Sequence, residues 1–341
     1  SKPRVVGSNP SGRAILLKMI KNILISGGAG YIGSHISEIL IKNKKNIFII
    51  DNLSTGHKKL INKKAKFFKL DINKKKQIKK IIIENKIDSV IHLAANLIIG
   101  EGEKYPNKYY KNNVTGTKNL LDVCKNTEIK NFVFSSTAAI YKDGQYKVSE
   151  KSIIKPKSVY GKTKIKAEKI IKSFCKKNKI NYCILRYFNI AGSSSSKKIG
   201  LINKSDHLFK NFSRELMKKK PILKIYGNNY DTKDGSCVRD FIHVSDIAEI
   251  HFKVLKKIDK LKKSKILNCG YNRGISVLEV ANEFKKQTAK KVKILITKRR
   301  KEDLVKIIAS NEQLKKFIKW KPKFDNLSLI VKSCLDWEKK Q

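Results

Sequence analysis

Acidic residues are scarce in this chain of 341 residues: 28 Asp and Glu face 77 Lys and Arg, for a formal net charge of +49. Such a balance ordinarily points to nucleic acid or an anionic surface. Arginine is scarce too, however, at 8 residues against 69 lysines. Base readers lean on the arginine fork, which fits guanine, and cluster their charge on one face. Here the lysines are scattered and interleaved with Ile and Asn, as the codon bias of an AT-rich genome would leave them. The charge therefore reads as a solvated surface, with non-specific attraction to polyanions at low salt and no specific nucleic-acid partner. Missing as well are an apolar run long enough to span a bilayer and a signal-peptide pattern, so no membrane partner is expected. The six cysteines (Cys124, Cys175, Cys183, Cys237, Cys269 and Cys334) include no C-x-x-C pair. The six histidines offer no H-x-x-x-H spacing either. These absences argue against a metal site and for reduced, mostly buried thiols in a cytoplasmic protein.

What is present begins after a leader. Residues 1–18, "SKPRVVGSNPSGRAILLK", carry Arg, Pro, Ser and Gly where the rest carries Lys and Ile. They read as tag or upstream sequence outside the fold, with Met19 as the expected start. From Ile23 to Arg186 short apolar runs alternate with helical periodicity. Strands are expected at Ile23–Ser26, Asn46–Ile50, Lys66–Leu70, Ser89–Leu93, Asn131–Ser135 and Tyr182–Arg186. Helices are expected at Tyr31–Lys42, Lys74–Asn85, Tyr109–Asn126 and Ser158–Lys177. Apolar strands alternating with helices predict a parallel sheet covered on both faces. Beyond Arg186 the pattern breaks into loops and shorter elements, with a late strand at Ile266–Asn268. The fold class is α/β: a Rossmann-type doubly wound parallel sheet with a smaller C-terminal α/β substrate-binding lobe. The expected division is a nucleotide-binding domain at 19–190 and a substrate lobe over most of 191–341, some of whose segments return to the sheet.

"NILISGGAGYIGSH", from Asn22 to His35, places a glycine loop between a strand and a helix. That context makes a dinucleotide site credible, since the helix amides can face a pyrophosphate. Two registers fit: Gly28, Gly30 and Gly33 as G-x-G-x-x-G, or Gly27, Gly30 and Gly33 as G-x-x-G-x-x-G. Asp51 ends the second strand 18 residues after Gly33, where a carboxylate accepts hydrogen bonds from an adenosine ribose and repels a 2′-phosphate. NAD rather than NADP is the expected cofactor. Asn52, Leu53 and Ser54 of "DNLSTG" lie beside that ribose. Asp71, with Ile72 after it, either meets the adenine edge or caps the following helix.

Two later segments carry chemistry. "FVFSSTAAIY" sets Ser135, Ser136 and Thr137 at a strand end, and "SVYGKTKIKAEK" sets Tyr160 and Lys164 four residues apart on one helix face. A tyrosine with an ordinary pKa near 10 is a poor base at neutral pH. A lysine ammonium one turn away, together with a positive nicotinamide ring, is expected to favour the phenolate. Thr137 can then hydrogen-bond the reacting oxygen and relay its proton. An isolated Tyr–Lys pair in so lysine-rich a chain would be an ordinary surface pair. The strand-end hydroxyls and the preceding glycine loop make it functional, and they select the Gly27, Gly30, Gly33 register.

Together "GGAGYIGSH", "DNLS", "YYKNNVTGT", "FSSTAAIY", "YGKTK", "RYFNIAG", "YDTKDGSCVRDFIHVSDIA" and a final "WKP" resemble the UDP-glucose 4-epimerase (UDP-galactose 4-epimerase) family of the extended short-chain dehydrogenases/reductases. The resemblance runs in order from about Ile23 to Trp337. It implies a retained NAD that is not consumed and an isomerase acting at C4 of a UDP-hexose. Tyr160 would take the 4-hydroxyl proton while the C4 hydride moves to the nicotinamide. The 4-keto sugar would then turn over and take the hydride back on its other face. The resemblance also places Tyr31 and Ile32 against the pyrophosphate, Leu93, Ala94 and Ala95 along the adenosine side, and Asn113 at the nicotinamide ribose. Ser135 and Phe188 would lie near the nicotinamide. For the UDP-sugar it implies Asn189, His207, Leu208, Tyr226, Arg239, Arg300, Asp303 and Ile307. Of these, Arg239 and Arg300 would clamp the diphosphate, Asp303 would accept from the uridine ribose, and Tyr226 would stack on the base. A homodimer is a further implication.

Four departures from the family pattern stand out. Leu97 replaces a lysine that commonly meets the cofactor ribose, "YKD" at Tyr141–Asp143 replaces a Tyr-Gly, and Glu302 replaces a glycine. Ile307 stands where some relatives have a tyrosine whose bulk excludes a 2-acetamido group, which leaves room for N-acetylated UDP-hexosamines. The rival chemistries on this fold are less well served. A sugar-nucleotide 4,6-dehydratase needs Asp-Glu after the threonine and decarboxylases commonly carry Glu, whereas this chain has Ala138 and Ala139. A non-catalytic NAD- or polyanion-binding relative would usually have lost the Tyr or the Lys.

Overall fold

A computed structural model describes residues 20–202, 207–261, 264–300 and 303–341. The leader, Met19 and Glu302 lie outside these residues.

The first strand shows why the chain builds a covered sheet. In Asn22–Ser26 (β1) the Ile23 and Ile25 side chains join one core cluster and Leu24 joins another, all fully buried. Each such side chain contributes roughly 1.5–3 kcal/mol by leaving water. Next come Asn46–Asp51 (β2), Lys66–Lys69 (β3), Ser89–His92 (β4) and Asn131–Thr137 (β5). With Asn181–Tyr187 and Lys265–Cys269 they form a seven-stranded parallel sheet in the order Lys265–Cys269, Asn181–Tyr187, β5, β4, β1, β2, β3. The chain order reverses between β1 and β4. A crevice opens there beyond the strands' carboxyl ends, the place where doubly wound sheets hold ligands.

A second, four-stranded sheet aligns Ile275–Ser276, Val238–Arg239, Lys306–Ala309 and Lys147–Val148. Lys147–Val148 precedes residue 190 yet pairs in this second sheet, while Lys265–Cys269 follows it yet joins the first. The chain therefore crosses between the two layers in both directions.

The helix Tyr31–Lys42 (α1) spans the expected residues, and the helices Lys75–Glu84 and Val159–Lys177 begin one residue later than the periodicity predicts. One expectation needs correction. Tyr109–Asn126 is not a single α-helix: a short α-turn at Pro106–Tyr109 passes into a wider π-helical segment at Tyr110–Thr115, and the α-helix resumes at Gly116–Cys124. The widening sets Asn113 inward, where its Nδ2 donates to Asn96 O at 2.9 Å and to Thr163 Oγ1 at 3.1 Å. Such π-helical turns are rare and short, so the apolar spacing of the segment predicts an ordinary α-helix. All six cysteines are free and buried, as expected of structural thiols. No helix among the described residues is long and apolar enough to cross a membrane.

Candidate functional site

The crevice is a cavity of about 1760 Å³ that runs from the glycine loop across β4 and β5 to the second sheet. At its floor Gly27 has φ +76, and a Cβ there would lie 2.7 Å from Ala94 N and 2.9 Å from Ala94 Cα. A Cβ on Gly33 would meet Gly27 O at 2.5 Å. Both positions are closed to side chains by backbone. Gly28, the alternative first glycine, meets only the side chain of Ile49. The backbone thus makes its strictest demand in the Gly27, Gly30, Gly33 register. Gly30 precedes α1 without a side-chain cap, and the first turn holds no acid. The exposed amides and positive end of that helix can accept an anion.

Asp51 is nearly buried at the end of β2, where Oδ2 accepts from Ala29 N at 3.0 Å and Oδ1 from Leu53 N at 2.8 Å. Burial raises its pKa, partly offset by the two amides. The carboxylate thus braces the glycine loop and the Asn52–Ser54 turn while still lining the cavity. Asp71 also lines it, with Oδ2 accepting from Asn52 Nδ2 at 2.8 Å and Oδ1 from Asn73 N at 2.9 Å. Its alternative role as a helix cap is not seen: Lys74 precedes the Lys75–Glu84 helix, and no side chain caps it.

At the carboxyl end of β5, Thr137 Oγ1 accepts from Ala139 N at 3.2 Å. The Thr137 hydroxyl faces Tyr160, where it favours the phenolate. Ser158 starts the Tyr160 helix by accepting from Gly161 N at 3.1 Å. Lys164 lies one turn on, 3% exposed, with Nζ 4.6 Å from the centre of the Phe134 ring. The polypeptide's own groups do not by themselves lower the Tyr160 phenol. Burial pushes the phenol up to about 12, with Thr137 pulling it back, and pushes the Lys164 ammonium down to about 7 against the pull of Glu168. Sequence shows the i, i+4 spacing but not this desolvation.

The remaining candidates fall into place around this centre. Tyr31, Ile32, Ile72, Leu93, Ala94, Ala95, Ser135, Phe188, Asn189, His207, Leu208, Tyr226, Arg239, Arg300, Asp303 and Ile307 all line the cavity. Leu53 and Asn113 do not line it: the first holds a strained φ of +61 in the β2 turn, and the second braces the Asn96 loop from beneath. Tyr31 Oη donates to Gly192 O at 2.5 Å, and His207 Nε2 hydrogen-bonds Ile190 O at 2.5 Å. The groups expected to meet UDP meet one another. Arg239 Nη2 is 3.5 Å from Asp303 Oδ1, and the Arg300 guanidinium lies 3.7 Å from the centre of the Tyr226 ring. A ligand entering here exchanges these partners rather than filling empty valences.

Several departures now have a physical account. Leu97 is 60% exposed on the cavity wall, so an aliphatic chain faces the space a lysine would occupy. In "YKD", Lys142 does not need a glycine's positive φ, and Asp143 pairs with Lys157 at 2.6 Å. Ala138 and Ala139 line the cavity beside Thr137 without a carboxylate. Sequence reading missed Glu168 and Arg186, a buried ion pair at 2.8 Å directly behind Ser136. The series Tyr160, Lys164, Glu168 at successive helical turns was the available signal.

Residues 23–270 match the model of the NAD dependent epimerase/dehydratase family. The chain is 37% identical over 319 residues to a UDP-glucose 4-epimerase of Lactobacillus helveticus, covering 93% of this chain and 97% of that protein. Among solved structures, a UDP-Glc/GlcNAc 4-epimerase of Campylobacter jejuni is 38% identical with a TM-score of 0.82, covering 94% of this chain and 100% of that one. A UDP-glucose 4-epimerase of Stenotrophomonas maltophilia, with bound NAD and formylated UDP-arabinopyranose, is 28% identical with a TM-score of 0.90, covering 94% and 98%.

Proposed function

The chain belongs to the NAD dependent epimerase/dehydratase family, and on that premise we propose that it is an isomerase interconverting UDP-galactose and UDP-glucose by inversion at C4. The observation that carries this is the convergence of Thr137, Tyr160 and Lys164 on one cavity with the α1 amides and with Arg239 and Arg300. The cofactor is NAD, and the residues fit it: Gly27 and Gly33 leave backbone-only space before an uncapped helix, and Asp51 stands at the ribose end. When bound, NAD supplies a reversible hydride acceptor and a positively charged ring.

The chain's own residues manage the proton and the geometry. Tyr160 Oη receives the proton of the sugar 4-hydroxyl and later returns it, while Thr137 holds the same oxygen by hydrogen bond. Lys164 adds a cation that favours the phenolate. Arg239 and Arg300 hold the diphosphate, Asp303 the uridine ribose, and Tyr226 the base, leaving the hexose free to present either face. Residues 19–190 would carry the nucleotide cofactor and most of 191–341 the sugar nucleotide.

Two finer points belong to the same proposal. Ile307, 5% exposed and packed with Phe188, lacks the bulk that would exclude a 2-acetamido group, so UDP-N-acetylhexosamines are accepted as well. The dual-specificity name of the Campylobacter relative agrees with that reading. A homodimer follows from family likeness, and a monomer mass by light scattering would remove it. The proposal as a whole is tested with Tyr160→Phe, which should abolish nearly all conversion of UDP-galactose. A binding protein that merely kept the fold would be unaffected.

A further inference from the structure

Behind the cavity lies a charged pair that the proposed chemistry does not use. Glu168 is fully buried two helical turns from Tyr160 and one from Lys164, and its carboxylate accepts three hydrogen bonds. Ser136 Oγ donates to Oε1 at 2.6 Å, Arg186 Nε to Oε1 at 3.0 Å and Arg186 Nη2 to Oε2 at 2.8 Å. Arg186, 1% exposed, also donates through Nη1 to Tyr141 Oη at 2.9 Å and to Glu150 O at 3.3 Å. Tyr141 Oη donates to Asn268 Oδ1 at 2.6 Å, and Asn268 Nδ2 to Val148 O at 2.9 Å. Val148 pairs with Ala309 at the end of the strand that carries Ile307. One chain of bonds thus joins the strand of Thr137, the helix of Tyr160 and the second sheet.

A buried ion pair is a weak source of net stability, because desolvating two charges offsets their attraction, and well-packed hydrocarbon often serves as well. What hydrocarbon cannot supply is a fixed negative charge one turn from Lys164. The other titratable groups facing this centre, Tyr187 of the neighbouring strand among them, are uncharged at neutral pH. His92 of β4 is uncharged at neutral pH, Phe134 offers its ring, and Tyr109 approaches from the Tyr160 side.

Resting on the reading of Tyr160 and Lys164 as the proton-handling pair, we propose that Glu168, clamped by Arg186 and Ser136, is a positioning residue that keeps Lys164 a cation beside Tyr160. The same clamp fixes the approach of Thr137, since Ser136 and Thr137 are neighbours on β5. Burial drives the Lys164 ammonium down, and Glu168 is the anion that opposes the fall and holds it at about 7.

The test removes both charges together, so that neither is left buried and unpaired. The double variant Glu168→Leu, Arg186→Met is compared with the unaltered protein, each with its retained NAD, in UDP-galactose conversion from about pH 5 to 10. Loss of the anion lowers the Lys164 pKa, so the alkaline limb of kcat/KM should move toward lower pH by about 1–2 units. A second readout is ultraviolet difference titration of Tyr160, taken in each background against the same protein with Tyr160→Phe. The phenol should titrate at higher pH in the double variant. An unmoved limb with an unmoved Tyr160 titration overturns the inference, whatever happens to kcat. Should the double variant fail to fold, Glu168→Asp draws the charge back by one carbon and must shift both readouts in the same directions, and no shift there overturns it equally. An unaltered protein inactive on UDP-galactose would instead defeat the underlying functional reading.

Discussion

Thr137 and Tyr160 face each other at the carboxyl end of β5, and the threonine hydroxyl favours the tyrosine's phenolate. Thr137 Oγ1 accepts from the Ala139 amide at 3.2 Å, which leaves its proton available to a phenolate at Tyr160, and the threonine pulls the phenol's pKa down against burial. The threonine therefore steadies the phenolate. Thr137→Val should raise the Tyr160 pKa and move the acid limb of the pH–rate profile to higher pH. At neutral pH kcat should fall by about tenfold or more, since general-base catalysis of this kind is worth roughly 10²–10⁴-fold in all. A pH–rate profile of the variant checks the direction.

The glycine register makes a separate prediction. Gly27→Ala forces a side chain into a left-handed backbone conformation and against Ala94 N at 2.7 Å, so the variant should lose stability by more than about 1 kcal/mol and purify with little NAD. Gly28→Ala meets only the Ile49 side chain, which can shift, and should retain more cofactor. The ultraviolet ratio of bound NAD to protein distinguishes the two.

At the sugar end, Ile307→Tyr should reduce conversion of UDP-N-acetylglucosamine by about 10–200-fold while sparing UDP-galactose, the range that pocket volume alone provides. Product ratios by chromatography settle it. Equal losses on both substrates would mean that Ile307 matters for packing with Phe188 rather than for selection.

Acid should destabilise the protein through its buried histidines. Burial pushes His92 and His243 down to about 3 and His35 and His251 down to about 4, against 6.5 when unfolded. Between those values the unfolded chain binds protons that the folded chain refuses, so this stability is complete above pH 6.5 and is lost as pH falls toward 4. Chemical denaturation at pH 7, 6 and 5 should show the decline. His92→Gln, which can still reach Ser26 and Thr117, should make it shallower.

Much of this was legible in the chain itself. Strand ends came out within a residue or two because Ile23 and Ile25 face one core and Leu24 the other, and buried parallel strands leave an unmistakable apolar run. Gly27, Asp51 and Thr137 were legible because each lies at a strand's carboxyl end, where topology gathers ligand contacts, whereas Tyr226, Arg239, Arg300, Asp303 and Ile307 were reached only through the family resemblance. What escaped was set by contacts distant in sequence. The π-helical turn at Asn113 answers to Asn96, Arg186 to Glu168 18 residues away, and Tyr141 to Asn268 127 residues away. Pattern and spacing describe one segment at a time. The pairing of Arg239 with Asp303 and the desolvation of Tyr160 belong to the folded assembly.

The central claim is that the glycine loop holds an NAD that is returned to its oxidised form within each turnover, in the service of an isomerase. Incubating the purified protein with UDP-galactose, with no NAD added, tests this most directly. The account predicts that UDP-glucose accumulates to equilibrium with no net rise in absorbance from reduced cofactor. Failure to form UDP-glucose, or its formation only with added NAD and stoichiometric reduction, would contradict it.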